Sequence, residues 1–278
     1  MATLIHILQH TLSQKAPSLP VETKRIILKE ALQSILLDFV YNHPVYRRLN
    51  FYGGTCLHVV YGLNRLSEDI DLDNGAGIDL ASLQDELSMM FRNSLGYDEL
   101  ISKPQKGENG ILRLTLKFPV LNELGLSAYP NEALHLKVEV SHHQQVAVLQ
   151  NTPVFYHGRS FVPAHFSLET MMAGKMIACL ERNFPRGREG AFIKGRDFYD
   201  LLWFMQKGIQ PLTEKLAKDA AQPHTTTTAL HALREKVAEI RIADLAVDLL
   251  PMFESRPFIE AWLERFHANF ERYLLEYQ

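Results

Sequence analysis

Four short stretches of this chain hold residue types suited to phosphate and metal chemistry. The densest is Phe51-Tyr52-Gly53-Gly54-Thr55, followed after nine intervening residues by Arg65-Leu66-Ser67-Glu68-Asp69-Ile70-Asp71-Leu72. Glycines ahead of a helix let backbone amides approach a phosphate, and the helix N-terminus adds a favourable dipole. The stretch Cys56–Leu63, with Gly62 near its end, is the expected helix. Asp69 and Asp71 are two apart on an expected strand, so their carboxylates project to the same side. Such a pair is costly unless a cation lies between its members, and Mg²⁺ takes carboxylate oxygens together with substrate phosphates. Glu139, on the polar face of another strand, is available as a third ligand. Two ions held by three carboxylates would bridge an attacking hydroxyl and a leaving pyrophosphate. The run Asp69-x-Asp71-x-Asp73-Asn74-Gly75 is not a calcium loop, because its glycine comes one place late and its twelfth position is Leu80.

The other two stretches lie later. A helix expected from Ser167 to about Arg182 sets Lys175 among Leu168, Met171, Met172, Ala178 and Cys179 on the helical wheel. A lysine inside an apolar face must snorkel or meet an anion. Lys194-Gly195-Arg196-Asp197-Phe198-Tyr199-Asp200-Leu201 opens a further helix, with Asp197 above Leu201 and Phe204. Taken singly, each feature has a blander reading. Gly-Gly-Thr fits an ordinary turn, Asp-x-Asp a solvated edge, and Glu139 a surface strand acid. Lys175 fits the rim of a core, and Asp197 a first-turn acid favoured by the helix dipole.

The elements that must position these residues follow from periodicity. Residues 1–52 contain no glycine, fourteen glycines fall from Gly53 to Gly195, and only Gly208 follows. The ends therefore read as helical and the middle as loop-rich and mixed. Leu28, Leu32, Ile35 and Phe39 predict an amphipathic helix of about 20 residues after Pro20. Alternation at period two predicts half-buried strands around Ile70 and Leu72, over Leu112–Phe118 and over His135–Val140. If the three share a sheet, one face of it carries several carboxylates and several cations. Further helices are expected over about 197–207, 212–220, 226–249 with a break near Arg241, and 257–276. The threonine run at 225–228 reads as a loop and helix cap. A boundary near residue 160 divides a mixed part (1–160) from a helical part (161–278) expected to complete the active-site cleft.

Composition sets the outer bounds. Across 278 residues, 46% are hydrophobic and 22% charged, which excludes a disordered chain. Two cysteines, Cys56 and Cys179, make no disulfide framework and have no metal-ligand spacing, which suits a reducing cytoplasm. No apolar run approaches a membrane span, and no signal peptide is visible. A formal charge of −3 excludes a chain coated in positive charge. Locally the balance differs, since residues 181–196 hold Arg182, Arg186, Arg188, Lys194 and Arg196 against Glu181 and Glu189. That stretch reads either as a solvated loop or as one able to track an RNA backbone.

The joint pattern Gly-Gly-Thr…Arg-Leu-Ser-Glu-Asp-Ile-Asp-Leu resembles the signature of the polymerase-β-like nucleotidyltransferases, and more narrowly the AbiEii/AbiGii toxin family of type IV toxin–antitoxin systems. Gly174-Lys175-Met176 and Arg196-Asp197-Phe198-Tyr199-Asp200-Leu201 stand where that family carries a helix lysine and a basic–Asp-x-x-Asp segment, so the resemblance covers about residues 50–205. It implies an α+β nucleotidyltransferase fold, with N-terminal helices, a small mixed sheet and a helical C-terminal region. In that reading Gly53, Gly54 and Thr55 hold the triphosphate, with Arg65 and Ser67 beside the metal site. Asp69 and Asp71 ligate Mg²⁺, two ions in that reading, with Glu139 as the third acid.

 

Lys175 contacts nucleotide phosphates, and Asp197 lines the pocket, with Asp200 the other candidate for that late acid. Where the family commonly has Gly-Ser, this chain has Gly-Gly-Thr, which keeps a hydroxyl. The implied reaction moves NMP from an NTP to a hydroxyl acceptor, tRNA in the toxin reading, with a cognate antitoxin encoded nearby and a place in phage defence. Transfer to a small molecule of the antibiotic type, or a catalytically silent binding module of the same fold, are the alternatives.

Overall fold

The structure is a computed structural model, and it describes residues 3–106, 111–142, 145–182, 184–185 and 191–277. The chain forms two compact units, Met1–Gln144 with Gln150–His165, and Gln145–Leu149 with Phe166–Gln278. In chain order the first part contains α1 (Leu4–Ser13), α2 (Val21–Asn42), β1 (Asn50–Tyr52), α3 (Gly53–Tyr61), β2 (Asp69–Asp73), α4 (Leu83–Leu95), β3 (Ile101–Lys106), β4 (Leu112–Phe118) and β5 (Leu134–Ser141). Short strands follow: β6 (Leu149–Asn151), β7 (Val154–Tyr156), β8 (Arg159–Phe161) and β9 (Ala164–Phe166).

The main sheet is mixed, in the order β3-β4-β5-β2-β1-β9-β6. β2 runs parallel to β5 and antiparallel to β1, which places the expected acid-bearing strand in the middle of the sheet. Each expected strand alternates as its sequence requires: Ile70, Leu72, Leu114, Leu116, Leu136 and Val138 are buried, and the intervening polar residues lie on the other face. The sheet is larger than the three strands that alternation reveals. β1, β6 and β9 have three residues each, too few for a period of two to register.

The helix after Pro20 forms, but it is not amphipathic in the expected way. Ile26, Ile27, Leu28, Ala31, Leu32, Ile35, Leu36, Leu37 and Val40 are all buried, so from Ile26 onward α2 is covered nearly all round. The physical reason is its place inside the unit, packed against α1, β5 and β8. Glu30, Gln33 and Ser34 are buried with it and need partners there.

In the second unit, α5 (Leu168–Glu181) begins at Ser167, whose hydroxyl accepts from the Thr170 amide as an N-cap should. The pair β10 (Phe184–Pro185) and β11 (Ala191–Phe192) is antiparallel. Then come α6 (Gly195–Gln206), α7 (Thr213–Lys218), α8 (Thr226–Ala238), α9 (Ile242–Leu249), α10 (Arg256–Glu264) and α11 (Phe266–Leu275). Thr225 and Thr228 form a reciprocal capping box, and Arg241 stands at the N-cap of α9, the expected break. The expected helix over 257–276 is interrupted at Arg265. The sequence hides that break because the buried set Ile259, Leu263, Phe266, Phe270 and Leu274 keeps helical spacing across it.

Residues 145–149 are held in this second unit by a buried cation. Lys215 is 4% exposed, and its ammonium contacts Asp219 Oδ2 at 2.6 Å and Gln145 Oε1 at 3.2 Å. Asp219 Oδ2 in turn accepts the Val146 amide at 3.1 Å. Replacing Lys215 with Met leaves that carboxylate without its cation. Urea unfolding should show a loss on the order of 3 kcal/mol.

Candidate active site

The site in the first unit is organised by two glycines. β1 ends at Tyr52, Gly53 turns into α3 with φ +78°, and Asp71 lies opposite Tyr52 in the antiparallel register. A Cβ on Gly53 would fall 2.1 Å from Asp71 Oδ2, so the carboxylate occupies the space a side chain would need. A Cβ on Gly54 would fall 2.7 Å from Arg65 Nη2 and 3.2 Å from Ser67 Oγ. Gly53, Gly54, Arg65, Ser67 and Asp71 therefore meet at one place. The glycines belong to the helix itself, which starts three residues earlier than the expected Cys56; Gly62 follows it at φ +72°, a left-handed terminator. By helix geometry the first-turn amides of α3 have no intrahelical acceptor.

Thr55 is fully buried. Its hydroxyl donates to the Asp69 carbonyl and meets Ser67 Oγ at 2.8 Å, so its side chain ties the helix to the acid-bearing strand. Ser67 is gripped from α2 as well: Glu30 Oε1 accepts its amide at 3.1 Å, and Gln33 Nε2 donates to its carbonyl at 3.0 Å. Lys29 on the same helix pairs with Glu68 at 2.7 Å. Ser67, which leads into Asp69, is thus fixed at both its amide and its carbonyl by a helix that the sequence presents as a packing helix. Nothing in the spacing of Glu30 and Gln33 points to this role.

Asp69 and Asp71 are half-buried and project to one side of β2. Asp73 is different. It is buried and accepts from Asn50 Nδ2 at 3.1 Å, Ser141 Oγ at 3.2 Å and the Gly75 amide at 3.1 Å, so it closes the end of the strand. Glu139 lies beside Asp71 in the parallel register, but its carboxylate meets Arg113 Nε at 3.1 Å. Among the described residues no group of three His, Cys, Asp or Glu side chains is gathered to hold a metal ion. The donor set still fits a hard cation, because it consists of carboxylate oxygens on one strand face. Tyr52, which spacing did not single out, completes this row. Burial raises its phenol pKa, the Asp71 carboxylate raises it further, and a hydrogen bond involving Ser141 works the other way.

The second unit holds the remaining candidates. Lys175 Nζ meets Asp197 Oδ1 at 2.6 Å and Asp200 Oδ2 at 2.9 Å, so both candidates for the late acid bind the same ammonium. Asp197 also meets Arg182 at 2.9 Å. Burial opposes ionisation of Asp197, but the Lys175 ammonium and the Arg182 guanidinium outweigh it and hold the carboxyl well below the usual range. Lys194 is pushed down by burial, and Arg196 and Arg182 add to the effect. Of the basic stretch 181–196, Arg186 and Arg188 lie outside the described residues. Cys56 and Cys179 are buried with raised thiol pKa values, which suits packing and not nucleophilic chemistry.

A mixed sheet with a same-side aspartate pair, set against a glycine-opened helix, defines a nucleotidyltransferase-type fold. Two solved structures share it. One is JHP933 from Helicobacter pylori, with a TM-score of 0.54 and 18% identity over 93% of this chain and 94% of that one. The other, from the same organism and put forward as a nucleotidyltransferase, has a TM-score of 0.50 and 18% identity over 88% and 92%. No curated protein is similar enough to match. The family model described as nucleotidyl transferase AbiEii toxin, type IV TA system, matches residues 28–276, and the chain belongs to that family of nucleotidyltransferases. None of its described helices is long and apolar enough to cross a membrane.

Two outcomes follow from the geometry. Gly53→Ala adds a Cβ where the Asp71 carboxylate lies, at a backbone angle that favours glycine. It should cost about 1–3 kcal/mol of stability and reduce nucleotide transfer at least tenfold, measured on the fraction that folds. Lys175→Met removes the ammonium shared by two buried carboxylates, Asp197 keeping only Arg182 of its two cations, and should cost roughly 3–5 kcal/mol in chemical denaturation. Adding Asp197→Asn and Asp200→Asn to it should recover part of that loss.

Proposed function

We propose that this chain transfers an NMP from an NTP to a hydroxyl of RNA, with tRNA as the acceptor, and that it acts in the cytoplasm as the toxin of a type IV toxin–antitoxin pair in phage defence. The observation that carries the reading is the seating of Asp71 against Gly53, with Asp69 on the same side of β2. This arrangement brings a carboxylate pair to the N-terminus of α3, where a triphosphate would find unpaired amides. In this assignment Gly53, Gly54 and Thr55 receive the phosphates through their backbone, since the Thr55 hydroxyl is committed to Asp69 and Ser67. Arg65 and Ser67 hold the turn in place, and Arg65 gives it positive charge.

Asp69 and Asp71 would hold Mg²⁺, with Glu139 joining when its Arg113 contact is exchanged, and the resemblance implies two ions. When bound, the metal supplies neutralisation of the charge that develops on the pyrophosphate. The acceptor oxygen forms a bond to the α-phosphorus, the bond from that phosphorus to the bridging oxygen breaks, and the hydroxyl proton passes to water. Lys175 is assigned to nucleotide phosphates and Asp197 to the pocket lining by the resemblance; a phosphate contact by Lys175 would be made alongside its two aspartates. Membership in the AbiEii family supports a neighbouring antitoxin as partner.

The test uses the full chain with α-³²P-labelled NTPs, Mg²⁺ and either total tRNA or aminoglycosides. Label should enter tRNA, and Asp69→Asn or Asp71→Asn should lower incorporation by at least a hundredfold while the thermal midpoint stays near that of the unaltered protein. Label entering only the small molecule would replace RNA as the acceptor. Undiminished transfer in both variants would remove the carboxylates from the mechanism.

A further inference from the structure

The polar face of the sheet extends beyond the acid pair. Register sets Lys103, Thr115, Lys137 and Asp69 in one row across β3, β4, β5 and β2. The next row holds Arg113, Glu139, Asp71 and Tyr52. Lys117 stands opposite His135 on the other side of the lysine row, on the same face. Arg113 is committed to Glu139. Lys103, Lys117 and Lys137 make no ion pair with any described residue, although Lys103 and Lys137 are exposed and Lys117 is half-exposed.

Lys117 and Lys137 stand diagonally on neighbouring strands, near enough for their long side chains to repel, while Lys137 has Asp69 beside it on β2. Their mutual field is visible at His135. Burial lowers its pKa first, and Lys117, Lys29 and Lys137 lower it further. Lysine on an edge strand is ordinary protection against edge-to-edge pairing, which accounts for Lys103 on β3. It does not account for Lys117 and Lys137, which lie on the interior strands β4 and β5. The lysines lie on strands on the side of β2 away from β1, the strand that leads into α3. Lys103 and Lys137 are separated by two strand spacings, about 10 Å.

We propose that Lys103, Lys117 and Lys137 form a track for the sugar–phosphate backbone of the acceptor RNA, leading its terminal hydroxyl to Asp69 and Asp71. The inference rests on the RNA-acceptor reading above and assigns that acceptor a surface. Lys137 stands beside Asp69 in the register, and the track runs outward from it to the sheet edge.

The experiment measures equilibrium binding of 3′-labelled, unfractionated tRNA across a salt series, without turnover. In the triple variant Lys103→Gln, Lys117→Gln, Lys137→Gln, affinity should fall at least tenfold, and the slope of log K against log salt should become shallower by about 2, as expected for losing three phosphate contacts. NTP binding, measured separately, should be retained, and the triple Lys→Arg variant should bind tRNA as the unaltered chain does. Unchanged affinity and slope in the Gln variant would overturn the track alone. A fall in NTP affinity with intact tRNA binding would reassign the lysines to the triphosphate. Failure of the unaltered protein to bind tRNA at all would overturn the RNA reading, and the track with it.

Discussion

The room left by two missing side chains governs this site. Gly53 and Gly54 lie where Asp71, Arg65 and Ser67 converge, and any Cβ there would collide with a carboxylate or a guanidinium. Because the glycines also open α3, the same residues that admit the acid set the direction of the first-turn amides. Strand, turn and helix are therefore not independent. Moving β2 by one residue would exchange its buried Ile70 and Leu72 for aspartates and empty the space beside Gly53 at once.

Buried polar contacts then hold this junction. Thr55 joins α3 to the backbone of Asp69, and Glu30 and Gln33 hold the amide and carbonyl of Ser67 from α2. A buried carboxylate and amide on a central helix are costly when unpaired, so their retention is explained by the partners they find. The second unit handles charge differently. Lys175 sits between Asp197 and Asp200, with Arg182 on the outer side of Asp197, so two buried acids are matched by two cations. Asp69 and Asp71 stay half-buried and face one side of β2.

Much of this was legible in the amino-acid order. The strands at β2, β4 and β5 follow from strict alternation, the Ser167 and Thr225 caps from residue type, and the grouping of Gly-Gly-Thr with Arg-x-Ser-x-Asp-x-Asp from the resemblance to the nucleotidyltransferase signature. Strands of three residues were not legible, since a period of two cannot be counted over so short a run. Nor was the kink at Arg265, because the apolar spacing continues through it. The apolar residues of α2 announced a packing helix, and its true place at the centre of a unit required knowing what covers its other faces.

The sequence by itself determined which residues could do the chemistry and on which face of each strand they stand, because both depend on side-chain type and a local period. Only the tertiary structure decided which of them touch. It turned Thr55 inward, spent Asp73 on closing the strand, set Arg113 on Glu139, and gave Lys175 two aspartates where the sequence left a choice between them. Those outcomes depend on register between strands and on packing between residues far apart in the chain, and neither is encoded in any local period.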